Sequence, residues 1–216
     1  MLNDPKWQKF LRKYQHRIYR RGQIVLFQGE SPRNVYLVKR GVVKTYNIDY
    51  DGKEQFINLE SAGSTFPKLW IWGKENNAQY YYEALSDCDI YIIPREAYVS
   101  FVKSDPELVL AELDSALGDY RNSSTRLNAL LYTKASDKIA HILKYLANTY
   151  APNTHDDNLK IDLKLTHQHL ASLTGLTRET VSVELNKFKS QGVLSYKPSQ
   201  YRINMTKLEQ ILRKEF

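Results

Sequence analysis

The sequence predicts an α+β protein in which an N-terminal antiparallel β-roll of the jelly-roll type is followed by a long helix and a C-terminal winged helix-turn-helix. Three observations support this order. Short apolar segments separated by glycines fill the first half, a leucine seam follows Pro106, and two capped helices around Gly175 precede a hairpin pattern. We expect the roll at residues 1–105, the long helix at 106–134 and the helix-turn-helix domain at 135–216.

Five short segments in the first half have the composition of β-strands. They are rich in Val, Ile, Tyr and Phe, which favour a pleated surface, and they lie at residues 23–27, 34–38, 42–46, 54–59 and 88–93. Glycines recur between them about every ten residues, as the turns of a small antiparallel roll require. The pair Asp51-Gly52 suits a type I′ hairpin turn.

A leucine-rich seam indicates a long helix after Pro106, a residue that suits a first helical turn. Its positions recur in alternating steps of three and four, which is the spacing of a coiled coil. They are Leu110, Leu113, Leu117, Tyr120, Ser124, Leu127 and Leu131. The pattern leaves two interpretations open, an amphipathic helix packed on its own domain and a helix that pairs two chains. A further helix from about Ser136 to Tyr150 leads into the last domain.

The helix-turn-helix is the most specific local pattern in the chain. Thr166 and Thr177 can each cap a helix N-terminus through the side-chain hydroxyl, and Gly175 can adopt the positive φ that ends a helix. The turn is therefore only about three residues long, as this motif requires. In the second helix Val181, Leu185 and Phe188 form a buried face, and Arg178, Glu179, Ser182 and Val183 are displayed near its start.

A two-stranded hairpin is predicted directly after the second helix. Residues 193–196 form an apolar run, 197–200 carry turn chemistry, and 201–203 return as a second strand. Two amphipathic helices around a glycine turn also occur in helical proteins that do not bind DNA. The hairpin favours the winged form of the motif.

The charge distribution also favours a nucleic-acid partner. The net charge is +7, and residues 160–216 hold ten Lys or Arg against five Asp or Glu. Neutralisation of phosphates requires such a local excess, whereas a generally basic surface would only improve solubility. Together with the motif, the excess predicts binding to double-stranded DNA.

The composition argues against several other classes of protein. The single Cys88 leaves no internal disulfide or four-cysteine cluster within one chain, so a reducing, cytoplasmic setting is the default. No apolar run approaches the roughly 18 to 20 residues that span a bilayer, so we expect no membrane partner. The chain lacks a glycine-rich phosphate loop, a nucleophile motif and metal-ligand spacing. We therefore expect neither an enzyme nor a metal site, and we interpret His141 and His155 as surface residues.

The residues also resemble a known family. Arg21–Glu30, Val35–Val38 and Gly41–Lys44 resemble the cyclic-nucleotide-binding-like sensory roll of the CRP/FNR superfamily of bacterial transcription regulators, and Thr177–Val181 resembles its recognition helix. The resemblance covers nearly the whole chain. It implies a homodimer, paired through the long helix, that binds an inverted-repeat operator, with RNA polymerase as a further candidate partner. The alternative is a ligand-binding adaptor that retains the fold without reading DNA.

The resemblance also suggests which residues contact DNA. Arg178 would bond a guanine and Glu179 a cytosine, with Ser182 and Val183 beside them. Family members commonly have Arg four residues after the reading Glu, where this chain has Val183, so we expect an altered preference at one base pair of a TGA-containing half-site. Phosphate contacts are expected from helix ends and the wing, at Thr166, Gln168, Thr177, Thr180, Lys189, Lys197, Tyr201 and Arg202.

The sensory segment departs from the family pattern. Cyclic-nucleotide-binding members carry an Arg-Ser or Arg-Thr pair that holds the phosphate, and residues 61–87 here contain no Arg. We therefore expect a roll that is not specific for cAMP, no cofactor, and an unknown small-molecule effector. The candidate pocket is lined by Phe66, Lys68, Trp70, Trp72 and Tyr81, although such rings more commonly fill a core.

Overall fold

The computed structural model describes residues 2–73, 75–151, 156–161, 163–197 and 200–213. Two compact units, Met1–Tyr120 and Arg121–Phe216, divide the chain within its longest helix. Among the described residues, no helix combines the length and the apolarity needed to cross a membrane.

The first unit is built on two four-stranded antiparallel sheets. Its strands are β1 (His16–Tyr19), β2 (Ile24–Leu26), β3 (Asn34–Arg40), β4 (Val43–Ile48), β5 (Glu54–Glu60), β6 (Thr65–Phe66), β7 (Tyr81–Ala84) and β8 (Cys88–Pro94). One sheet has the order β1-β8-β3-β6 and the other β2-β7-β4-β5. The five predicted strands are confirmed to within two residues at each end. Strands β1, β6 and β7, of four, two and four residues, were not predicted from the sequence.

Four helices accompany these sheets, namely α1 (Pro5–Leu11), α2 (Lys68–Trp72), α3 (Arg95–Lys103) and α4 (Pro106–Leu131). Asp4 caps the N-terminus of α1, because its carboxylate accepts the Lys6 N–H at 2.7 Å. Aromatic rings join α1 to α3, since the Phe10 ring stacks on Phe101 with centroids 3.9 Å apart and Trp7 contacts Tyr98. This cluster also buries Val35, Leu37 and Ile93 of the first sheet.

The hairpin between β4 and β5 forms, but its turn is longer than the predicted type I′ turn. The Gly52 N–H donates to the Asp49 carbonyl, and the Asp49 N–H donates to the Lys53 carbonyl, so Tyr50 to Gly52 form a three-residue loop. The Asp49 carboxylate also accepts the backbone N–H groups of Asp51 and Lys53 at 3.0 and 2.9 Å. These side-chain bonds favour the longer loop over the two-residue turn.

Buried polar atoms occupy the inner face of the second sheet. Thr45 shares this face with Val43, whose side chain is part of the roll core, and Glu60 lies opposite Val43 in the register. Glu60 is 6% exposed, and its Oε1 accepts a hydrogen bond from Asn58 at 3.1 Å. Among the described residues, Glu60 Oε2 and Thr45 Oγ1 have no hydrogen-bond partner. The core of the roll is therefore not purely apolar.

The environment of Glu60 disfavours its charged form. Burial raises the pKa of the Glu60 carboxyl to about 7, and the negative charge of Asp119 on α4 adds to the increase. The positive charge of Lys68 and the nearby polar groups of Asn58 and Ser64 lower the pKa of Glu60 in opposition. Glu60 is therefore a carboxyl group that can titrate near neutral pH inside the roll.

The second unit is a winged helix-turn-helix, as predicted. It contains α5 (Ala135–Tyr150), β9 (Asn158–Lys160), α6 (His167–Thr174), α7 (Arg178–Ser190), β10 (Leu194–Lys197), β11 (Gln200–Asn204) and α8 (Met205–Arg213). Helix α5 packs against α6, α7 and α8. The three strands form an antiparallel sheet in the order β10-β11-β9. The sequence predicted only two of them, because β9 has three residues and follows a polar segment.

Substitution of Gly41 should destabilise the roll more than backbone strain alone explains. Gly41 has φ +94°, and an added Cβ would lie 2.5 Å from the Asp87 carbonyl oxygen. Gly63 is a matched control, because its φ is +91° but no atom lies within 4 Å of an added Cβ. We expect Gly63→Ala to cost about 1–3 kcal/mol of unfolding free energy and Gly41→Ala clearly more. Urea unfolding followed by tryptophan fluorescence measures this unit, which contains every Trp of the chain. Equal losses would contradict the expected clash.

Replacement of Glu60 should change how stability depends on pH. The folded protein binds the Glu60 proton more tightly than the unfolded chain, so stability should fall as the pH rises from about 4.5 to above 7. Glu60→Gln removes this loss and should stabilise the roll at pH 8 by up to about 3 kcal/mol, with little effect at pH 4. Urea unfolding at a series of pH values tests this. Glu96→Gln, at an exposed position of α3, is the control, and an unchanged profile for Glu60→Gln would be the contrary result.

Candidate nucleic-acid interface

Backbone capping fixes the two helices of the motif. The Thr166 side chain accepts the His169 N–H at 3.1 Å while His169 Nδ1 accepts the Thr166 N–H, so α6 begins with a reciprocal capping box. Gly175 ends α6 with φ +64°, and the Thr177 hydroxyl accepts the Thr180 N–H at 3.2 Å at the start of α7. The predicted caps and the short turn are confirmed.

Helix α7 buries one face and exposes its N-terminal end. Val181, Leu185 and Phe188 are at most 3% exposed. Arg178 and Glu179 are exposed, Ser182 is half-buried, and Val183 is 53% exposed. The four residues predicted to face bases are therefore accessible, in the first two turns of a helix of 13 residues. The positive end of the helix dipole at Arg178 also favours a negatively charged partner.

The positive charge of Arg178 acts on His167 at the start of α6. Burial lowers the pKa of His167, and the positive charge of Arg178 lowers it further. The His167 ring contacts Tyr196 of β10 edge-on at 5.6 Å, and the Tyr196 hydroxyl donates to Asn186 of α7 at 3.0 Å. These contacts connect α6 and α7 to the hairpin of β10 and β11, which is the wing of the motif.

Seven of the eight predicted phosphate contacts are accessible, and one is not. Gln168, Thr177, Lys189, Lys197 and Arg202 are exposed, and Thr166 and Thr180 are half-buried. Tyr201 is 1% exposed and its ring stacks on Tyr196, so the prediction that it contacts a phosphate is wrong. Arg202, the next residue in β11, points to the opposite face of the strand and is exposed. The turn residues Pro198 and Ser199 lie outside the described residues.

The leucine seam forms an exposed apolar stripe along α4. Its six apolar members, Leu110, Leu113, Leu117, Tyr120, Leu127 and Leu131, are 52–74% exposed, and Ser124 is half-buried. A different face of α4 packs on the roll, where Leu108 is 4% and Glu112 8% exposed. The seam therefore does not serve to pack α4 on its own domain.

The five residues of the predicted effector pocket do not line one cavity. Phe66 is 1% exposed, and its ring stacks between those of Tyr36 and Tyr82, with centroid distances of 5.3 and 4.6 Å. Tyr81 precedes Tyr82 in β7 and points to the other face, where it stacks on Tyr46. Trp70 packs against the Arg95 guanidinium. The prediction of one shared pocket is therefore wrong, and Phe66 is a core residue.

Lys68 and Trp72 instead connect α2 to α4. The Lys68 ammonium donates to the Ser115 hydroxyl at 3.0 Å and forms an ion pair with Asp119. The Trp72 indole N–H donates to Glu112 at 3.2 Å, and the Tyr98 hydroxyl donates to the same carboxylate. Glu112, Ser115 and Asp119 were not among the residues predicted from the sequence. Their spacing along one helix face is visible in the sequence, but their partners on α2 are about 40 or more residues away in the chain.

The single cysteine and His141 make ordinary structural contacts. Cys88 is 1% exposed, and burial raises the pKa of its thiol. The His141 ring stacks on Tyr132 at 4.3 Å, whereas His155 lies outside the described residues. Across the described ranges, no group of three or more His, Cys, Asp or Glu is placed to hold a metal ion.

Two family models match this chain, one in each half. A cyclic nucleotide-binding domain matches residues 16–105, and a Crp-like helix-turn-helix domain matches residues 137–211. The matched segments coincide with the roll and with the winged helix-turn-helix.

Curated relatives extend over most of the chain. It is 24% identical over 191 residues to the cAMP-activated global transcriptional regulator CRP of Haemophilus influenzae, with 88% of this chain and 84% of the relative covered. It is 27% identical over 180 residues to the HTH-type transcriptional regulator ArcR of Staphylococcus epidermidis, with 82% and 77% covered.

The fold agrees with that of a solved structure. FixK2 from Bradyrhizobium japonicum superposes with a TM-score of 0.77 at 21% sequence identity, covering 91% of this chain and 96% of that structure. The order of roll, long helix and winged helix-turn-helix agrees with both family matches. The chain belongs to the CRP/FNR superfamily of bacterial transcription regulators, and its C-terminal unit is a Crp-like helix-turn-helix DNA-binding domain.

Proposed function

We propose that this regulator binds an inverted-repeat operator in double-stranded DNA as a homodimer, with α7 in the major groove and α4 at the dimer axis. The observation that carries the proposal is the exposed N-terminal end of α7, where Arg178, Glu179 and Val183 lie beside a capped helix start. The N-terminal residues of a recognition helix contact base edges in this arrangement. The local excess of basic residues supplies the charge for phosphate binding.

The exposed residues of α7 support a division of roles. The Arg178 guanidinium can bond O6 and N7 of a guanine together, and the Glu179 carboxylate can accept from a cytosine amine. Val183 offers only apolar contact, such as that with a thymine methyl group, and Ser182 lies beside it. We expect a half-site related to TGA with a weaker preference at the base pair that faces Val183.

Phosphate contacts surround this end of α7. Thr166, Gln168, Thr177 and Thr180 lie at or next to helix N-termini, where backbone N–H groups and hydroxyls favour anions. Lys189 follows at the other end of α7, and Lys197 and Arg202 lie on the wing. Such contacts set the position of the protein on the duplex rather than its sequence preference.

The exposed seam of α4 supports the homodimer. Six large apolar side chains in heptad spacing remain uncovered in a single chain, which is typical of a surface that pairs with another protein. A two-fold axis along α4 would place two copies of α7 on half-sites about one helical turn apart.

We also propose that the roll binds an effector other than cAMP. The segment 61–87 supplies no Arg for a cyclic phosphodiester, and the Lys68 ammonium already pairs with Asp119 and Ser115. The H. influenzae relative is described as cAMP-activated, and that description applies to the relative. We propose that the protein acts in the cytoplasm by binding rather than by catalysis, with RNA polymerase as a partner.

Operator selection from random duplexes should enrich an inverted repeat, and Arg178→Ala should remove the preference at one position per half-site. Loss of a bidentate guanine contact costs about 1–3 kcal/mol of discrimination, or about 5- to 150-fold in affinity ratio. Arg213→Ala is the control, because Arg213 is an exposed arginine at the end of α8. Fluorescence anisotropy with single-base variants of the selected operator measures the effect.

Two results of this experiment would contradict the assignment. A uniform loss of affinity for every base variant would make Arg178 a phosphate contact. Failure of the wild-type protein to enrich any sequence would favour an adaptor that has kept the fold without reading DNA.

Charged residues in the α4 seam should separate the dimer. Leu113→Glu combined with Leu117→Glu places carboxylates in the apolar stripe, and we expect a monomer in sedimentation velocity. The affinity for the full operator should fall about 100-fold or more, because the half-sites are then bound independently. Thr125→Glu is the control at an exposed position of α4 outside the seam. A dimer that persists in the double variant would exclude α4 as the pairing element.

A further inference from the structure

A row of polar side chains crosses the inner face of the second sheet of the roll. In the register of the strands, Thr45 of β4 lies opposite Asn58 of β5 on one side and opposite Tyr82 of β7 on the other. Glu60 of β5 lies opposite Val43, two residues before Thr45. Side chains two residues apart in a strand share a face, and Val43 and Tyr82 belong to the core of the roll. Thr45, Asn58, Glu60 and Tyr82 therefore face the interior, and we call them the polar row.

Two oxygen atoms of the polar row lack a partner. Thr45 is 2% exposed and Glu60 is 6% exposed. Glu60 Oε1 accepts a hydrogen bond from Asn58 at 3.1 Å, but among the described residues Glu60 Oε2 and Thr45 Oγ1 have no hydrogen-bond partner. Buried polar atoms are almost always paired in native proteins, because an unpaired one loses its hydration without compensation. Two unpaired oxygens in neighbouring register pairs point to a bound group that donates hydrogen bonds.

The charges around Glu60 favour a positively charged partner. Lys68 of α2 is paired with Asp119 of α4, and among the described cations none forms an ion pair with Glu60. Burial and the negative charge of Asp119 raise the pKa of Glu60 to about 7, while the positive charge of Lys68 opposes them. Tyr82 is the titratable group that faces Glu60 from β7, and burial raises the pKa of its hydroxyl well above the usual value. Ionised Glu60 is thus a negative charge that the polar row itself does not neutralise.

Aromatic rings border the polar row. The Tyr82 ring stacks on Phe66 of the opposite sheet with centroids 4.6 Å apart, and Phe66 stacks in turn on Tyr36 at 5.3 Å. Aromatic faces attract organic cations, and a carboxylate attracts a cation more strongly in an interior of low dielectric constant. A carboxylate, a hydroxyl and aromatic rings in one interior are groups that recognise an organic ammonium ion.

We propose that the polar row binds a small organic ammonium compound, whose N–H groups donate to Glu60 Oε2 and Thr45 Oγ1, and that this compound is the effector of the roll. The inference rests on the proposed function and deepens it, because it gives the chemical class of an effector other than cAMP. A primary ammonium group has three N–H donors and no acceptor, which complements unpaired oxygens. Protonated Glu60 releases its proton to solvent when the cation binds, and no other bond to hydrogen changes.

A cation at the polar row acts on the helix that we propose pairs the subunits. Asp119 and Lys68 both influence Glu60 electrostatically, and their ion pair joins α2 to α4. A second positive charge beside Glu60 repels the Lys68 ammonium and competes with it for Asp119. Since the contact between α2 and α4 then changes, we expect binding of the compound to change the affinity for the operator.

The test measures which head group the full-length protein binds. Methylammonium, propylammonium and benzylammonium are each compared with the alcohol and the carboxylate that carry the same hydrocarbon group, by ligand-observed NMR titration. At least one ammonium compound should bind saturably and about 10-fold or more tightly than its alcohol, and no carboxylate should bind. The absence of binding by all three ammonium compounds, or equal affinities for ammonium and alcohol, would overturn the inference.

The pH profile identifies Glu60 as the partner. These amines stay protonated at neutral pH, so their affinity should rise about 10-fold per pH unit up to about pH 7, where Glu60 becomes ionised, and then level off. Glu60→Gln should flatten this profile and weaken binding at pH 8 about 10-fold or more. Thr45→Val should weaken binding but keep the profile, because it removes only the hydroxyl. Glu96→Gln, at an exposed position of α3, should leave affinity and profile unchanged.

The remaining outcomes are also decisive. Ammonium binding that Glu60→Gln leaves unchanged, with the same pH profile, would overturn the assignment to the polar row. Binding that depends on Glu60 but does not change the affinity for the selected operator, measured by fluorescence anisotropy, would overturn the role as effector. Operator binding by a wild-type protein that binds no ammonium compound would overturn the inference and leave the proposed DNA reading intact. Failure to bind any operator, with ammonium binding retained, would instead remove the proposed function and the effector role.

Discussion

The burial of one face of α7 is the constraint on which the DNA-binding surface depends. Val181, Leu185 and Phe188 are almost fully buried, and a helix buried on one side has only its other side to present. The Thr177 cap fixes where the helix begins, so Arg178 and Glu179 become its first exposed residues. The αL conformation of Gly175 lets α6 end early enough for α7 to start within a few residues. Without the buried face of α7, the Thr177 cap and the turn at Gly175, the exposed side chains of α7 would have no defined position relative to a duplex.

Helix α4 has one face that packs on the roll and another that is exposed. One face packs on the roll and carries Glu112, Ser115 and Asp119, whose polar atoms bond to residues of α2 and α3. The other carries the exposed seam. A change in the roll that alters the contacts of Lys68 or Trp72 would therefore act directly on the helix that we propose pairs the subunits. This physical link does not require a cyclic nucleotide.

The interior of the roll contains groups that we expect to disfavour a phosphodiester. Lys68 is neutralised by Asp119, and Glu60 adds a buried carboxyl whose pKa is raised. A cyclic phosphodiester carries one negative charge, and the segment 61–87 supplies no guanidinium to balance it. The aromatic rings of Phe66, Tyr36 and Tyr82 fill the neighbouring space by stacking on one another. The departure from the family pattern in the sequence thus has a counterpart in the packing.

The sequence by itself determined the elements whose stability is local. The caps at Thr166 and Thr177, the turn at Gly175, the buried stripe of α7, the seam of α4 and the five predicted strands all depend on residues close together in the chain. Only the tertiary structure decided which polar residues share a face. Strand pairing placed Lys160 beside Arg202 and turned Tyr201 inward, and packing across the roll buried Phe66 and joined Lys68 to Asp119. The reason is that these contacts join residues that are far apart in the chain, from 16 positions for Phe66 and Tyr82 to 51 for Lys68 and Asp119. Their pairing depends on register and packing and leaves no periodic signal in the sequence.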